Sequence, residues 1–224
     1  MSGSLVSPET RAKVRGMIVP IALAFGRIGL TPNALTLIGF GIAGIATLLA
    51  AAQLWLPAGV LVLFGGVFDL FDGALARATN TASPLGAFMD SVFDRWGEGI
   101  VYVGIIWGTL VAGHERPAIL AAGAMMSAFM VSYTRAKSES EGFTPGKGMA
   151  NVGLAPREVR IVILTVGLIV AGLLPNAGQE PDVPGGPLSM IALDVSLGLI
   201  VVLATITTIQ RIVHVIRQSK KEYQ

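Results

Sequence analysis

Long apolar runs, closed by prolines, glycines or charged clusters, alternate with short polar joints along this chain. A membrane-crossing helix needs about 20 apolar residues, and several of these runs approach or reach that length. Leu30-Thr31-Pro32-Asn33 reads as a turn and helix start, and the apolar stretch that follows it to Gln53 predicts a first span. A second span is expected from Ala58 to Arg77, after Leu56-Pro57, and a third from Ser83-Pro84 through Trp107 to Ala112. His114-Glu115-Arg116-Pro117 forms a short loop before a fourth span that ends at Tyr133, and a polar segment runs from Thr134 to Glu158. The fifth and sixth spans, Ile161 to Leu174 and Leu188 to Ile209, flank a loop from Pro175 to Pro187 that holds Glu180 and Asp182. Ahead of all of them, Met17 to Phe25 is short for a span and is interrupted by Pro20. With Arg11, Lys13, Arg15 and Arg27 around it, this stretch predicts an amphipathic helix lying on the membrane surface.

The expected fold is therefore an all-α integral membrane protein, with six transmembrane helices and an N-terminal amphipathic juxtamembrane helix. Its divisions are residues 1–29 (the cytoplasmic segment with that helix), 30–217 (the six-helix membrane domain) and 218–224 (a cytoplasmic tail).

Composition agrees with this picture and narrows it. The chain is 53% hydrophobic, 13% charged and holds 28 glycines, too apolar for a soluble domain but ordinary for packed transmembrane helices. The absence of cysteine excludes disulfides, thiolate metal sites and cysteine nucleophiles. Of the 16 Lys and Arg, all but Arg95 and Arg116 fall in the N-terminal segment, after the second or fourth span, or in the tail. That asymmetry puts both termini on the cytoplasmic side of the cell membrane, and it accounts for the basic balance without nucleic acid. Met1 to Glu9 lacks a basic region leading into an apolar core, so no cleavable signal peptide is expected.

The chemistry is concentrated between Asp69 and Asp94, in the pattern D-x2-D-G-x2-A-R-x8-G-x3-D-x3-D. Asp69 and Asp72 share one helical face, as do Asp90 and Asp94, and the interval after Arg77 is long enough to reverse the chain. Two antiparallel helices would then present four carboxylates to one another. Each close pair repels by about 4 kcal/mol at an effective dielectric near 20, and burial adds a desolvation cost. Arg77 alone does not balance four charges, whereas two divalent cations do. All-oxygen ligands favour Mg²⁺ or Mn²⁺, and two such ions bridged by carboxylates suit displacement at phosphorus. Acids embedded in a membrane point to function, and Gly73 and Gly86 on the same faces allow close approach of a ligand. Arg95 and Glu98, three apart, are expected to neutralise each other beside this site.

This pattern resembles the signature of the CDP-alcohol phosphotransferases, with all nine specified positions present, and the resemblance extends from about residue 11 to 217. It implies an integral-membrane homodimer in which a CDP-linked lipid, CDP-diacylglycerol, donates its phosphatidyl group to an alcohol and CMP leaves. Carried over by position, Asp69, Asp72 and Asp90 would hold one metal ion, and Asp69, Asp90 and Asp94 a second. Asp94 would also be the general base. Gly73, Arg77 and Ser83 would contact the CDP group, and Thr31-Pro32-Asn33-Ala34 resembles the family's donor-binding turn, a role favoured over that of a plain helix cap.

For the acceptor, Arg135 and Lys137, then Arg157 and Arg160, then Arg211, are similar to the branch that makes phosphatidylinositol phosphate from inositol phosphate. Arginines gathered at the cytoplasmic mouth suit a dianionic phosphate. Glycerol 3-phosphate, giving phosphatidylglycerophosphate, fits the same charges. A metal-ion or substrate transporter is the competing class. It would spread its acids along a path through the bilayer, whereas here they cluster at one depth in one hairpin.

Overall fold

The structure is a computed structural model that describes residues 8–143, 149, 152–174 and 187–222. Side chains are described from residue 16 to 143, at 149, and over 152–174 and 188–220. The expected loop with Glu180 and Asp182, and Lys147 of the polar segment, lie outside the described residues. Seven helices make up the described chain: α1 (Pro8–Arg27), α2 (Pro32–Ala51), α3 (Trp55–Ala78), α4 (Pro84–Val111), α5 (Glu115–Ser140), α6 (Arg157–Leu173) and α7 (Pro187–Glu222).

Helix boundaries follow local chemistry. Gly29 at φ +88° and Asn80 at φ +54° adopt the left-handed conformation that ends α1 and α3. The N–H of Leu30 then reaches the carbonyl of Phe25, and that of Thr81 reaches Ala76. Thr31 and Ser83 cap α2 and α4, accepting from the N–H groups of Ala34 (3.2 Å) and Gly86 (3.0 Å), each followed by proline in the first helical position.

Several expected boundaries move. α3 begins at Trp55 and α5 at Glu115, so Pro57 and Pro117 sit inside first turns, where a missing N–H costs nothing. α5 continues past Tyr133 to Ser140 because Arg135 pairs with Glu139 and Lys137 with Glu141 at helical spacing. α6 starts at Arg157 instead of Ile161, and α7 runs on through the basic tail to Glu222.

Among the described residues, four helices are long and apolar enough to cross a membrane: α2, α3, α5 and the Leu188–Lys220 stretch of α7. α4 has the length, at 28 residues, but carries Asp90, Asp94, Arg95 and Glu98, and α6 has only 17 residues. Large apolar side chains such as Leu48, Trp107, Ile119 and Val195 face outward, as lipid-facing positions of a multi-pass membrane protein do.

The core is built from small residues at close approach. A Cβ on Gly104 would stand 2.4 Å from the Thr47 carbonyl oxygen, and one on Gly108 only 2.2 Å from that of Ala50, so α4 packs backbone to backbone on α2. Gly108→Ala should therefore force these helices apart and destabilise the protein by about 1–3 kcal/mol. Thermal unfolding in detergent reads this directly; an unchanged midpoint would mean that the contact is not tight in solution.

One architectural expectation is corrected. α3 and α4 were expected to face each other as a hairpin, but they hardly touch, and α2 packs extensively against both. α2 stands between them, with Gly39 against Asp69 of α3 and Ala43 against Gly97 of α4.

Candidate active site

The C-terminal half of α3, the first turns of α2 and α4, and the N-terminus of α6 converge at one end of the bundle. Two of the cavities there are lined by the aspartates. The larger of these two, about 280 Å³, is lined by Thr31, Pro32, Asn33, Gly73, Arg77 and Ser83, together with Asp72 and Asp90. That volume approaches the lower end of small-ligand sites, roughly 300 Å³. Six of the seven residues expected to touch a CDP group thus share one cleft. Ala34 does not line it; its N–H is used in the Thr31 cap. A Cβ on Gly73 would stand 3.1 Å from Arg77 Nη1, so glycine lets this guanidinium lie against the helix.

The smaller cavity, about 50 Å³, is lined by Asp69, Asp94 and Arg157, with Gly39, Phe40 and Phe93. Arg157, the first residue of α6, bridges the two aspartates: Nη2 donates to Asp69 Oδ2 (2.7 Å) and Nη1 lies 3.0 Å from Asp94 Oδ2. Its Nε is buried and unpartnered. Arg95 Nη1 also donates to Asp94 Oδ2 (3.2 Å) and to the Ser91 carbonyl (3.0 Å).

Thr36 lines both cavities and links them. Its hydroxyl donates to Asp72 Oδ2 (2.7 Å), while Asp72 Oδ1 accepts from the N–H of Gly73. Gly39, one turn along α2, gives Asp69 its room: a Cβ there would meet Asp69 Oδ1 at 2.8 Å. Sequence reasoning missed both residues. The available signal was a threonine and a glycine spaced along one face of α2, in a helix otherwise read only as a span.

The four carboxylates interact electrostatically with one another: Asp69 with Asp72, Asp90 and Asp94, and Asp90 with Asp72 and Asp94. Arg157 and Arg95 are cations that act on them. Among the described residues, no three acidic or histidine side chains already converge as a ready-made metal cluster. The donor set nevertheless fits hard divalent cations in its chemistry, being all oxygen.

The remaining expected residues are distributed differently. Arg135 Nε donates to Glu139 (3.0 Å) and Lys137 pairs with Glu141, both on the exposed surface of α5. Arg211 is 3% exposed, with Nε on the Val152 carbonyl (3.0 Å) and Nη1 on that of Val131. Arg160 departs furthest from expectation. At 1% exposure it makes two hydrogen bonds to Glu98 (2.8 and 2.7 Å) and one to the Ala155 carbonyl (3.1 Å), so it is an internal brace with no reach to a ligand. The expected Arg95–Glu98 neutralisation is corrected with it: Glu98 turns inward to Arg160, and Arg95 turns to Asp94.

The CDP-alcohol phosphatidyltransferase family model matches residues 29–217. The phosphatidylinositol phosphate synthase of Mycolicibacterium smegmatis is 35% identical over 214 residues, covering 94% of this chain and 88% of that protein. The archaetidylinositol phosphate synthase of Pyrococcus horikoshii is 35% identical over 162 residues, covering 70% of this chain and 79% of its own. Two crystal structures of Mycobacterium tuberculosis phosphatidylinositol phosphate synthase, both 30% identical, superpose closely. The form with CDP-DAG bound gives a TM-score of 0.72, covering 88% of this chain and 92% of that one. The complex with manganese and citrate gives 0.74, covering 88% of each. A family match over nearly the whole described bundle, with its signature aspartates gathered at one end, makes this chain a member of the CDP-alcohol phosphatidyltransferase family of transferases.

Proposed function

We propose that this protein transfers the phosphatidyl group of CDP-diacylglycerol to inositol phosphate, giving phosphatidylinositol phosphate and CMP. The observation that carries this reading is the division of the site by its aspartates. A cleft with Thr31, Asn33, Gly73 and Arg77 lies on one side, and Arg157, bridging Asp69 and Asp94, on the other. The names of the relatives support the same donor and acceptor.

In this reading the CDP group occupies the cleft, with Gly73, Arg77 and the α2 and α4 caps (Thr31 to Asn33, and Ser83) around it. Asp69, Asp72 and Asp90 would hold one divalent ion and Asp69, Asp90 and Asp94 a second; Thr36 keeps Asp72 oriented through its hydrogen bond. Two Mg²⁺ ions, or Mn²⁺ in their place, would neutralise the diphosphate and the departing CMP phosphate when bound. Asp94 takes the proton from the acceptor hydroxyl as that oxygen bonds to the lipid-bearing phosphorus and the bond to CMP breaks. Arg157, whose Nε is unspent, faces the acceptor phosphate. Arg135 and Lys137 complete the mouth, with Arg211 behind them on the Val152 and Val131 carbonyls. The exposed partners Glu139 and Glu141 are held weakly and exchange readily for a dianionic phosphate.

The wider frame belongs to this proposal: residues 30–217 as the catalytic membrane domain between the 1–29 segment and the 218–224 tail, α4 and α6 as further crossings to make six, and α1 as the surface helix. The termini and the site face the cytoplasm across the cell membrane, by the distribution of Lys and Arg, and the working unit is a homodimer. CMP release by purified protein with CDP-diacylglycerol and Mg²⁺ tests the core of it. Release with inositol 1-phosphate is expected, and none with free inositol or serine. Release with glycerol 3-phosphate alone would keep the chemistry and replace the product.

A further inference from the structure

The turn that delivers Arg157 to the aspartates is held from outside itself. Residues 152–156 form no helix, yet most of the backbone groups there are taken. Thr207 Oγ1, on α7, accepts from the N–H groups of Leu154 (3.0 Å) and Ala155 (2.9 Å) and donates to the Leu203 carbonyl (2.8 Å). One turn further along α7, Arg211 Nε donates to the Val152 carbonyl (3.0 Å). Arg160 closes the turn from the other side, through the Ala155 carbonyl.

A hydroxyl offers one donor and two acceptor positions, and Thr207, fully buried, uses all of them. An independent observation marks the same contact. Gly153 stands at φ +119°, and a Cβ on it would fall 2.2 Å from Thr207 Cγ2, so the backbone closes directly onto this side chain. Two residues beyond Ala155, Arg157 reaches Asp69 and Asp94.

We propose that Thr207 is a positioning residue: by clamping the Leu154 and Ala155 N–H groups to α7, it fixes Arg157 against Asp69 and Asp94 and so sets the acceptor side of the site. The assignment of Arg157 to the acceptor side rests on the function proposed above; the clamp itself does not. Thr207 touches no reacting group, and its effect passes through the turn.

The full-length protein in detergent tests this with Thr207→Val, which keeps the branched shape but strands both N–H groups, and with Thr207→Ser, which keeps the hydroxyl. Hydrogen exchange over residues 152–156 should accelerate in the valine variant and stay near wild type in the serine variant. In CMP release, Thr207→Val should lower kcat/KM for the acceptor by about 10- to 100-fold while KM for the CDP-lipid moves less than about twofold. Thr207→Ser should restore most of the loss. Gly153→Ala, which pushes a methyl against Thr207, should give the same kinetic pattern and serves if the valine variant folds poorly. Faster exchange with an unchanged acceptor kcat/KM, or equal losses in the valine and serine variants, would overturn the proposal. Wild-type protein inactive with inositol phosphate would instead sink the function proposed above, and the kinetic arm would then be read with whichever acceptor releases CMP.

Discussion

Asp94→Asn should abolish turnover in a protein that still folds. Asparagine keeps the shape of the side chain and a carbonyl oxygen for the two guanidinium groups that meet at Asp94, Arg157 Nη1 at 3.0 Å and Arg95 Nη1 at 3.2 Å. It loses the negative charge and the ability to accept a proton. Removing a positioned general base lowers kcat by roughly 10²- to 10⁴-fold, and loss of a proposed metal ligand adds to this. The thermal midpoint should move little, because Asp94 lies among carboxylates whose mutual repulsion the change relieves. The KM for CDP-diacylglycerol should also hold, since the cleft with Thr31, Asn33 and Arg77 is untouched. Substantial activity in this variant would remove Asp94 as the base and leave Arg157's bridge a purely structural contact.

The second large effect concerns stability. Arg160→Met should cost about 3–5 kcal/mol, because it leaves the Glu98 carboxylate buried without its partner. Both side chains are almost completely enclosed, at 1% and 2% exposure, so solvent does not replace the lost guanidinium. The double variant Glu98→Leu with Arg160→Met removes both charges and should recover most of the loss, since apolar residues of similar volume often replace a buried ion pair at no cost. Thermal unfolding of the two variants side by side measures the coupling. A single variant as stable as wild type would mean that water reaches Glu98. The double variant should still bind acceptor less well, because Arg160 also holds the Ala155 carbonyl in the turn before Arg157.

Much of the bundle was legible in the sequence. Hydrophobic runs and their proline, glycine and threonine punctuation placed the starts of α2 to α7 to within a few residues, while α5 and α7 run well past their expected ends. The start of α2 after Thr31 and the reversal around Asn80 follow from local backbone preference alone. The errors lay where local signals and side-chain partners disagree. Polar residues from Thr134 to Ser140 read as a loop, yet ion pairs at helical spacing carry α5 through them. Pro57 and Pro117 read as breakers, yet both sit in first turns.

The candidate site divides the same way. The spacing of Asp69, Asp72, Asp90 and Asp94, and the glycine and arginine that accompany them, follow from helical periodicity and are visible without any structure. The partners of the cations are not. Arg95 and Glu98 are neighbours on one helical face, but Glu98 pairs with Arg160, 62 residues away, and Arg95 with the adjacent Asp94. Thr36 and Gly39 of α2, which hold and make room for Asp72 and Asp69, belong to a helix whose sequence shows only apolarity.

The sequence by itself determined the membrane class, the helical order, the family and the spacing of the four aspartates, because each rests on composition or on spacing within one helix or hairpin. Only the tertiary structure decided that α2 stands between the two aspartate helices, that Arg157 alone of the expected acceptor cations bridges the aspartates, and that Arg160 is an internal brace. Which buried charge meets which depends on how separate helices pack. In a low-dielectric interior every charge must find a partner, and several cations in this chain were equally eligible until the packing chose among them.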